Sequence, residues 1–303
     1  MNNRDKQNLN IITAEDGGFA YSFSVIAILL FSIVFSTILT VVASKDATVL
    51  SSDIVILLNY VLSPIAICLA IGILRYKSKK RYISLSLAKN FTLKPLVATL
   101  LIGFGLMFGL SKLNEYFVGF ITDLGLNASS PSLPSNTPLN VILTVISVCL
   151  LPAVFEEFLF RGLILKSLSK TGLVFATLIS GALFSIFHMS PAQTLYQFVV
   201  GCIYSLIIIY GGNLLYTIII HFINNFYIVL NYYYFHIVFD QTTETIMTIA
   251  GMICLIVGVL VLIKGRKEIS ISKEEKKANK INFLLGAVMG AIAALVIWIQ
   301  GLI

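Results

Sequence analysis

Charge is what this 303-residue chain has least of. Asp, Glu, Lys and Arg together supply 12% of its residues, about half the ~25% share of an ordinary soluble domain. That shortfall, set beside a 58% hydrophobic fraction, excludes a water-soluble globular chain. Cysteine is also scarce. Cys68, Cys149, Cys202 and Cys254 all lie in apolar segments without CxxC spacing, which excludes a disulfide framework and leaves them as small buried hydrophobes. Repeats and low-complexity tracts are absent. So is a convincing cleavable signal: a polar stretch of about eighteen residues precedes an apolar run far longer than the ~7 to 15 residues of a signal-peptide core, so the first apolar segment is expected to be retained.

Apolar stretches of roughly 20 residues, enough to cross ~30 Å of hydrocarbon, recur along the whole length. They lie near 19–43, 54–74, 95–111, 138–165, 171–189, 193–210, 214–235, 245–263 and 282–302. The expected fold class is all-α, a polytopic transmembrane helix bundle of eight to nine spans. Eight result if one weak segment folds onto the surface, and residues 113–124 could lie in the interface. The net charge of +7 does not point to nucleic acid, because the basic residues cluster between spans. Arg75, Lys77, Lys79, Lys80 and Arg81 follow the second span, Lys166 and Lys170 the fourth, and Lys264, Arg266, Lys267, Lys273, Lys276, Lys277 and Lys280 the eighth. With nine spans all three loops fall on one side, and the positive-inside rule makes that side cytoplasmic, with the N-terminus in. The partner this composition implies is a lipid bilayer. The Lys-, Asn- and Ile-rich composition fits a bacterial plasma membrane.

Residues 125–138 combine Gly, Ser, Asn and three prolines and cannot be helical throughout. They form a linker between three leading spans (1–124) and a denser four-helix block (139–236), which holds Glu156, Glu157 and all three histidines. Two spans without a polar centre follow (237–303), and packing against lipid is their expected role.

A carboxylate near the bilayer centre costs at least ~2.5 to 3.5 kcal/mol, so an intramembrane acid marks a candidate site. Pro152 either kinks the fourth span or opens a helix at its first turn, so Glu156 lies just beyond an irregularity. Glu157 and Arg161 are at i and i+4 with the acid N-terminal, the favourable order for an ion pair; Glu156 points about 100° away. The favoured reading is that Arg161 holds Glu157 while Glu156 is free to titrate. The alternative is a single buried charge network that positions helices. His188 closes the fifth span with Phe184 one turn earlier. If the fourth and fifth spans form a hairpin turning at Ser169 to Gly172, Glu156 and His188 differ in depth by only ~6 Å at 1.5 Å rise per residue. His221 and Asn225 share one face of the seventh span, and could aim two donors at one point, as a developing oxyanion requires; the alternative is an interhelical polar clamp. Asn224 lies off that face, and His236, after Tyr232, Tyr233 and Tyr234, reads as part of an interfacial aromatic belt.

There is no HExxH, no GxSxG and no Gly-Asp pair of the intramembrane aspartyl type. What remains is Glu156-Glu157-x-x-x-Arg161, Phe184-x-x-x-His188 and His221-x-x-x-Asn225, in that order on separate apolar helices. This trio resembles the CPBP family, also called Abi or type II CAAX prenyl endopeptidases, over roughly residues 139–230. The resemblance implies an intramembrane glutamic endopeptidase acting on a membrane-associated peptide or protein. Glu156 with His188 would activate a water, His221 with Asn225 would form the oxyanion hole, and Glu157, Arg161 and Phe184 would support them. It implies no cofactor; zinc, for which the Glu and His residues supply ligands of the right type, ranks second. Two other classes stay open: a non-hydrolytic protein that binds a peptide such as a bacteriocin, and a transporter with a buried Glu/His relay. Against transport, no inverted repeat of spans is visible.

Overall fold

A computed structural model describes residues 12–46, 48–49, 52–78, 91–128, 132–263 and 272–303. Nine helical segments run in order: α1 (Ala14–Ala43), α2 (Asp53–Ser78), α3 (Leu93–Asp123), α4 (Pro138–Lys170), α5 (Leu173–Phe187), α6 (Pro191–Gly211), α7 (Leu214–Phe235), α8 (Gln241–Ile263) and α9 (Lys273–Gln300). No strand occurs among the described residues. The chain is a polytopic helical membrane protein: eight of the helices are long and apolar enough to cross a bilayer. The exception is α5, at 15 residues, which shortens the fifth expected span. Its end has a local cause. His188 caps it, Met189 takes a positive φ of 50°, and Pro191 cannot continue a helix and holds Ser190 extended.

α1 begins earlier than its apolar run does. Thr13 and Asp16 form a reciprocal capping box that starts the helix at Ala14. α1 packs most extensively against α9, and small residues let the two backbones touch. Ser22 Oγ donates to the Gly286 carbonyl at 2.7 Å and accepts from Gly290 N at 3.0 Å. The last span is thus not confined to packing against lipid, since it also closes the back of the core through α1, and its Trp298 Nε1 donates to Thr194 Oγ1 on α6 at 2.7 Å. α8 lies along α3, where Gly105 and Gly109 meet the backbone at Gly251 and Gly258 meets that at Ala98.

The end of α4 meets the start of α9 through Lys170 and Glu275 at 2.9 Å, so the basic residues after the fourth and eighth spans share one end of the bundle. Lys79, Lys80, Arg81, Lys264, Arg266 and Lys267 lie outside the described residues. At the other end the linker is tied down. Asp53 accepts from Ser135 N and Asn140 Nδ2, each at 2.7 Å, and the Tyr233 hydroxyl donates to the Pro134 carbonyl at 2.9 Å. Positions 129–131 of that linker are outside the described residues.

α4 carries the acids and is irregular where they sit. π-helical turns at Val145–Leu150 and Phe158–Ile164 flank a single regular stretch, Leu151–Glu157, which begins with Pro152. A π-turn near a proline re-registers the backbone hydrogen bonds that the missing N–H would otherwise break, and such turns gather at functional sites. Pro152 therefore opens a regular segment inside a continuous helix, reconciling the two options its position suggests.

Candidate active site

Glu156 is 7% exposed and Glu157 is fully buried, yet one helix step sends them to different neighbours. Glu157 Oε1 accepts from Arg161 Nη1 at 2.9 Å, the i, i+4 pair expected from the sequence. The same oxygen also meets His221 Nδ1 at 3.0 Å. Arg161, 2% exposed, has further partners although its Nε makes no hydrogen bond: Nη2 donates to the Gly201 carbonyl at 3.3 Å, and its guanidinium carbon lies 4.3 Å from the Phe184 ring centre and 5.1 Å from that of Tyr204. A buried charge needs this much, a paired carboxylate, a carbonyl and two aromatic faces, to be tolerated.

Glu156 faces His188 instead. Its Oε2 lies 3.9 Å from His188 Nε2 and makes no hydrogen bond within the protein. The other ring nitrogen, Nδ1, is 2.8 Å from the Phe184 carbonyl. A carbonyl only accepts, so Nδ1 carries a hydrogen, and in its neutral form His188 turns the Nε2 lone pair toward Glu156. Two acceptors thus face one another at a distance too long for a direct bond and within reach of one shared water. Phe184 supports the site twice: its carbonyl sets the tautomer of His188, and its ring packs edge-on against that imidazole at 4.8 Å while covering Arg161.

His221 and Asn225 project from the same face of α7, as their spacing predicts, but each already holds a partner. His221 Nδ1 is engaged by Glu157. Asn225 Nδ2 donates to the Val148 carbonyl at 3.0 Å. The Asn225 amide keeps its second N–H for another acceptor. His236 is exposed at the end of α7, consistent with its exclusion from the cluster.

Several contributing groups are not apparent in the motifs. The Gly201 carbonyl reaches Arg161 because Gly181 and Gly201 let α5 and α6 touch: a Cβ on Gly201 would lie 2.8 Å from the Gly181 Cα. Tyr204 sits between Arg161 and His221, 6.0 Å from the latter's ring. Asn224 accepts from the Tyr196 hydroxyl at 2.8 Å and donates to Asn225 Oδ1 at 3.2 Å. Of these only the two glycines carry a sequence signal, as small residues inside apolar helices. Among the described residues, no group of three or more His, Cys, Asp or Glu is arranged to hold a metal ion.

A bundle of apolar helices enclosing a buried carboxylate and histidine cluster defines a class, the polytopic membrane protein with an intramembrane polar centre. Residues 138–227 match the family model described as Type II CAAX prenyl endopeptidase Rce1-like, so this segment is similar to that protease family. No curated protein and no solved structure shows a match to the chain. The matched segment runs from the start of α4 into α7 and contains Glu156, Glu157, Arg161, Phe184, His188, His221 and Asn225.

Proposed function

We propose that this protein is an intramembrane endopeptidase of the glutamate type, which hydrolyses a peptide bond in a membrane-associated peptide or protein. The observation that carries the proposal is the 3.9 Å approach of Glu156 and His188, two proton acceptors aimed at one buried point. A water held there is polarised toward both. As its oxygen attacks the scissile carbonyl carbon, its proton passes to this pair, which returns it to the leaving amine. Asn225 offers its second N–H to the developing oxyanion. His221 directs its Nδ1 hydrogen at Glu157, which Arg161 holds in place, and would donate to the oxyanion from Nε2 only as an imidazolium.

Water activation in this scheme uses side chains alone, without zinc or another cofactor. Hydrolysis is therefore expected to survive exhaustive chelation and to be lost in Glu156→Gln; loss of activity on chelation, restored by zinc, would overturn the metal-free version. Prenylated CAAX proteins are what the family description names, and the class proposed for this chain is the broader one of peptides lying in or on the bilayer. The proposed setting is a bacterial plasma membrane with the N-terminus cytoplasmic.

The test is comparative mass spectrometry of membrane and secreted peptides from cells carrying wild-type or Glu156→Gln protein. The expected result is a set of products present only with wild type. Full biological activity in Glu156→Gln would reject hydrolysis and favour a peptide-binding protein that uses the same cluster.

A further inference from the structure

Asn225 stands in a line of three hydrogen bonds crossing from α6 to α4. The Tyr196 hydroxyl donates to Asn224 Oδ1 at 2.8 Å, Asn224 Nδ2 donates to Asn225 Oδ1 at 3.2 Å, and Asn225 Nδ2 donates to the Val148 carbonyl at 3.0 Å. The direction of the line is set at its end. The Val148 carbonyl only accepts, so the Asn225 amide must turn its nitrogen there and its oxygen toward Asn224. The Asn224 amide must then give its nitrogen to Asn225 and its oxygen to the Tyr196 hydroxyl. A carboxamide has nearly the same shape when rotated half a turn, so packing alone discriminates weakly between the two senses, and hydrogen bonds decide. The sense matters. Rotated, Asn225 would present an oxygen where an oxyanion develops and would leave two oxygens facing each other at Val148.

We infer that Tyr196 and Asn224 are positioning residues, which lock the Asn225 carboxamide in the one sense that leaves an N–H for the reacting carbonyl. Neither residue belongs to the three motifs, and both are half-buried on helices that meet beside the cluster. The inference rests on the hydrolytic reading above, and its test separates the two.

The full chain, purified in detergent, is assayed on a mixture of internally quenched fluorescent peptides, with kinetics on the best-cleaved sequence. Tyr196→Phe keeps the ring and removes only the hydroxyl. It is expected to lower kcat about tenfold and leave KM within about twofold, a smaller effect than the ~100-fold or more for deleting an oxyanion donor outright. Asn224→Ala, which breaks the line one residue nearer, repeats the pattern and serves if Tyr196→Phe does not fold. In an Asn225→Ala background Tyr196→Phe should have no further effect, because the relay then has nothing to orient. Wild-type kcat in both single variants, or the same tenfold loss repeated in the Asn225→Ala background, overturns the inference while hydrolysis stands. Undiminished cleavage by a Glu156→Gln control instead removes the hydrolytic reading and the inference with it.

Discussion

Glu156 and Glu157 are adjacent in sequence and about 100° apart around the helix, and each meets a different set of neighbours. Glu157 is locked between Arg161 and His221, whereas Glu156 Oε2 has no protein hydrogen bond and faces His188. The two should respond differently to substitution. Removing Arg161 strands a fully buried carboxylate, so Arg161→Ala is expected to lower stability by about 3 to 5 kcal/mol, read as a fall in melting temperature and folded yield. Glu156→Gln alters a carboxyl whose Oε2 holds no protein hydrogen bond, and should melt close to wild type while hydrolysis disappears. A Glu156→Gln protein as unstable as Arg161→Ala would mean that both acids are structural. Part of this was legible in the sequence: the i, i+4 rule identifies the Glu157–Arg161 pair, and counting residues around the α4–α5 turn brings His188 to the depth of Glu156. The His221–Glu157 contact was not legible, because helical spacing specifies the face a residue occupies and not the neighbour that face meets.

The helices of the site approach one another closely through backbone features with no charge. Gly181 and Gly201 let α5 and α6 touch, and the Gly201 carbonyl thereby reaches Arg161. A Cβ on Gly181 would collide with the Cys202 sulfur and lie 3.0 Å from the Phe198 carbonyl. Gly181→Val is therefore expected to cost about 1 to 3 kcal/mol by overpacking, and to reduce hydrolysis as Arg161 loses its carbonyl; wild-type melting and activity would contradict the close contact. Pro152 has the opposite role, since it withholds an N–H. Pro152→Ala supplies a backbone N–H beside the π-turn whose Val148 carbonyl holds Asn225, and alanine is the better helix former, so the stretch is freer to regularise and shift that carbonyl. The expected outcome is equal or higher thermal stability with hydrolysis reduced several-fold, measured on the same peptide. Sequence reading located Pro152 as an irregularity but not the π-turns around it, because those depend on how α4 shares its carbonyls with α7.

At the scale of the whole molecule, the nine helices among the described residues alternate in direction, so the C-terminal ends of α2, α4, α6 and α8 lie at one end and those of α1, α3, α5 and α7 at the other. The Lys170–Glu275 pair joins the last residue of α4 to the first turn of α9, and Asn127 N donates to the Leu302 carbonyl at 2.8 Å to join α9's end to the linker after α3. Composition and run length were enough to read the all-α bundle, because a segment of about 20 apolar residues has few fates other than a spanning helix. The close pairing of α1 with α9 was not readable: it depends on Gly18, Ser22, Gly286 and Gly290 meeting across most of the chain's length, and small residues in apolar helices do not name their partners. The proposed orientation, with the N-terminus cytoplasmic, rests on charge. Exposed Lys166 and Lys170 lie at the first end, whereas Asp46 and Asp240 are exposed at the second, where Thr48 and Thr243 hydrogen bonds hold their carboxyls below the usual aspartate range and keep them ionised. A basic end retained in the cytoplasm and an acidic end translocated is the arrangement the positive-inside rule favours. In a background with the four native cysteines replaced by alanine, Asn127→Cys should react with a membrane-impermeant maleimide on intact cells. Lys170→Cys should react only after permeabilisation. The reverse pattern would invert the molecule, and labelling of both positions from outside would break the alternation of spans.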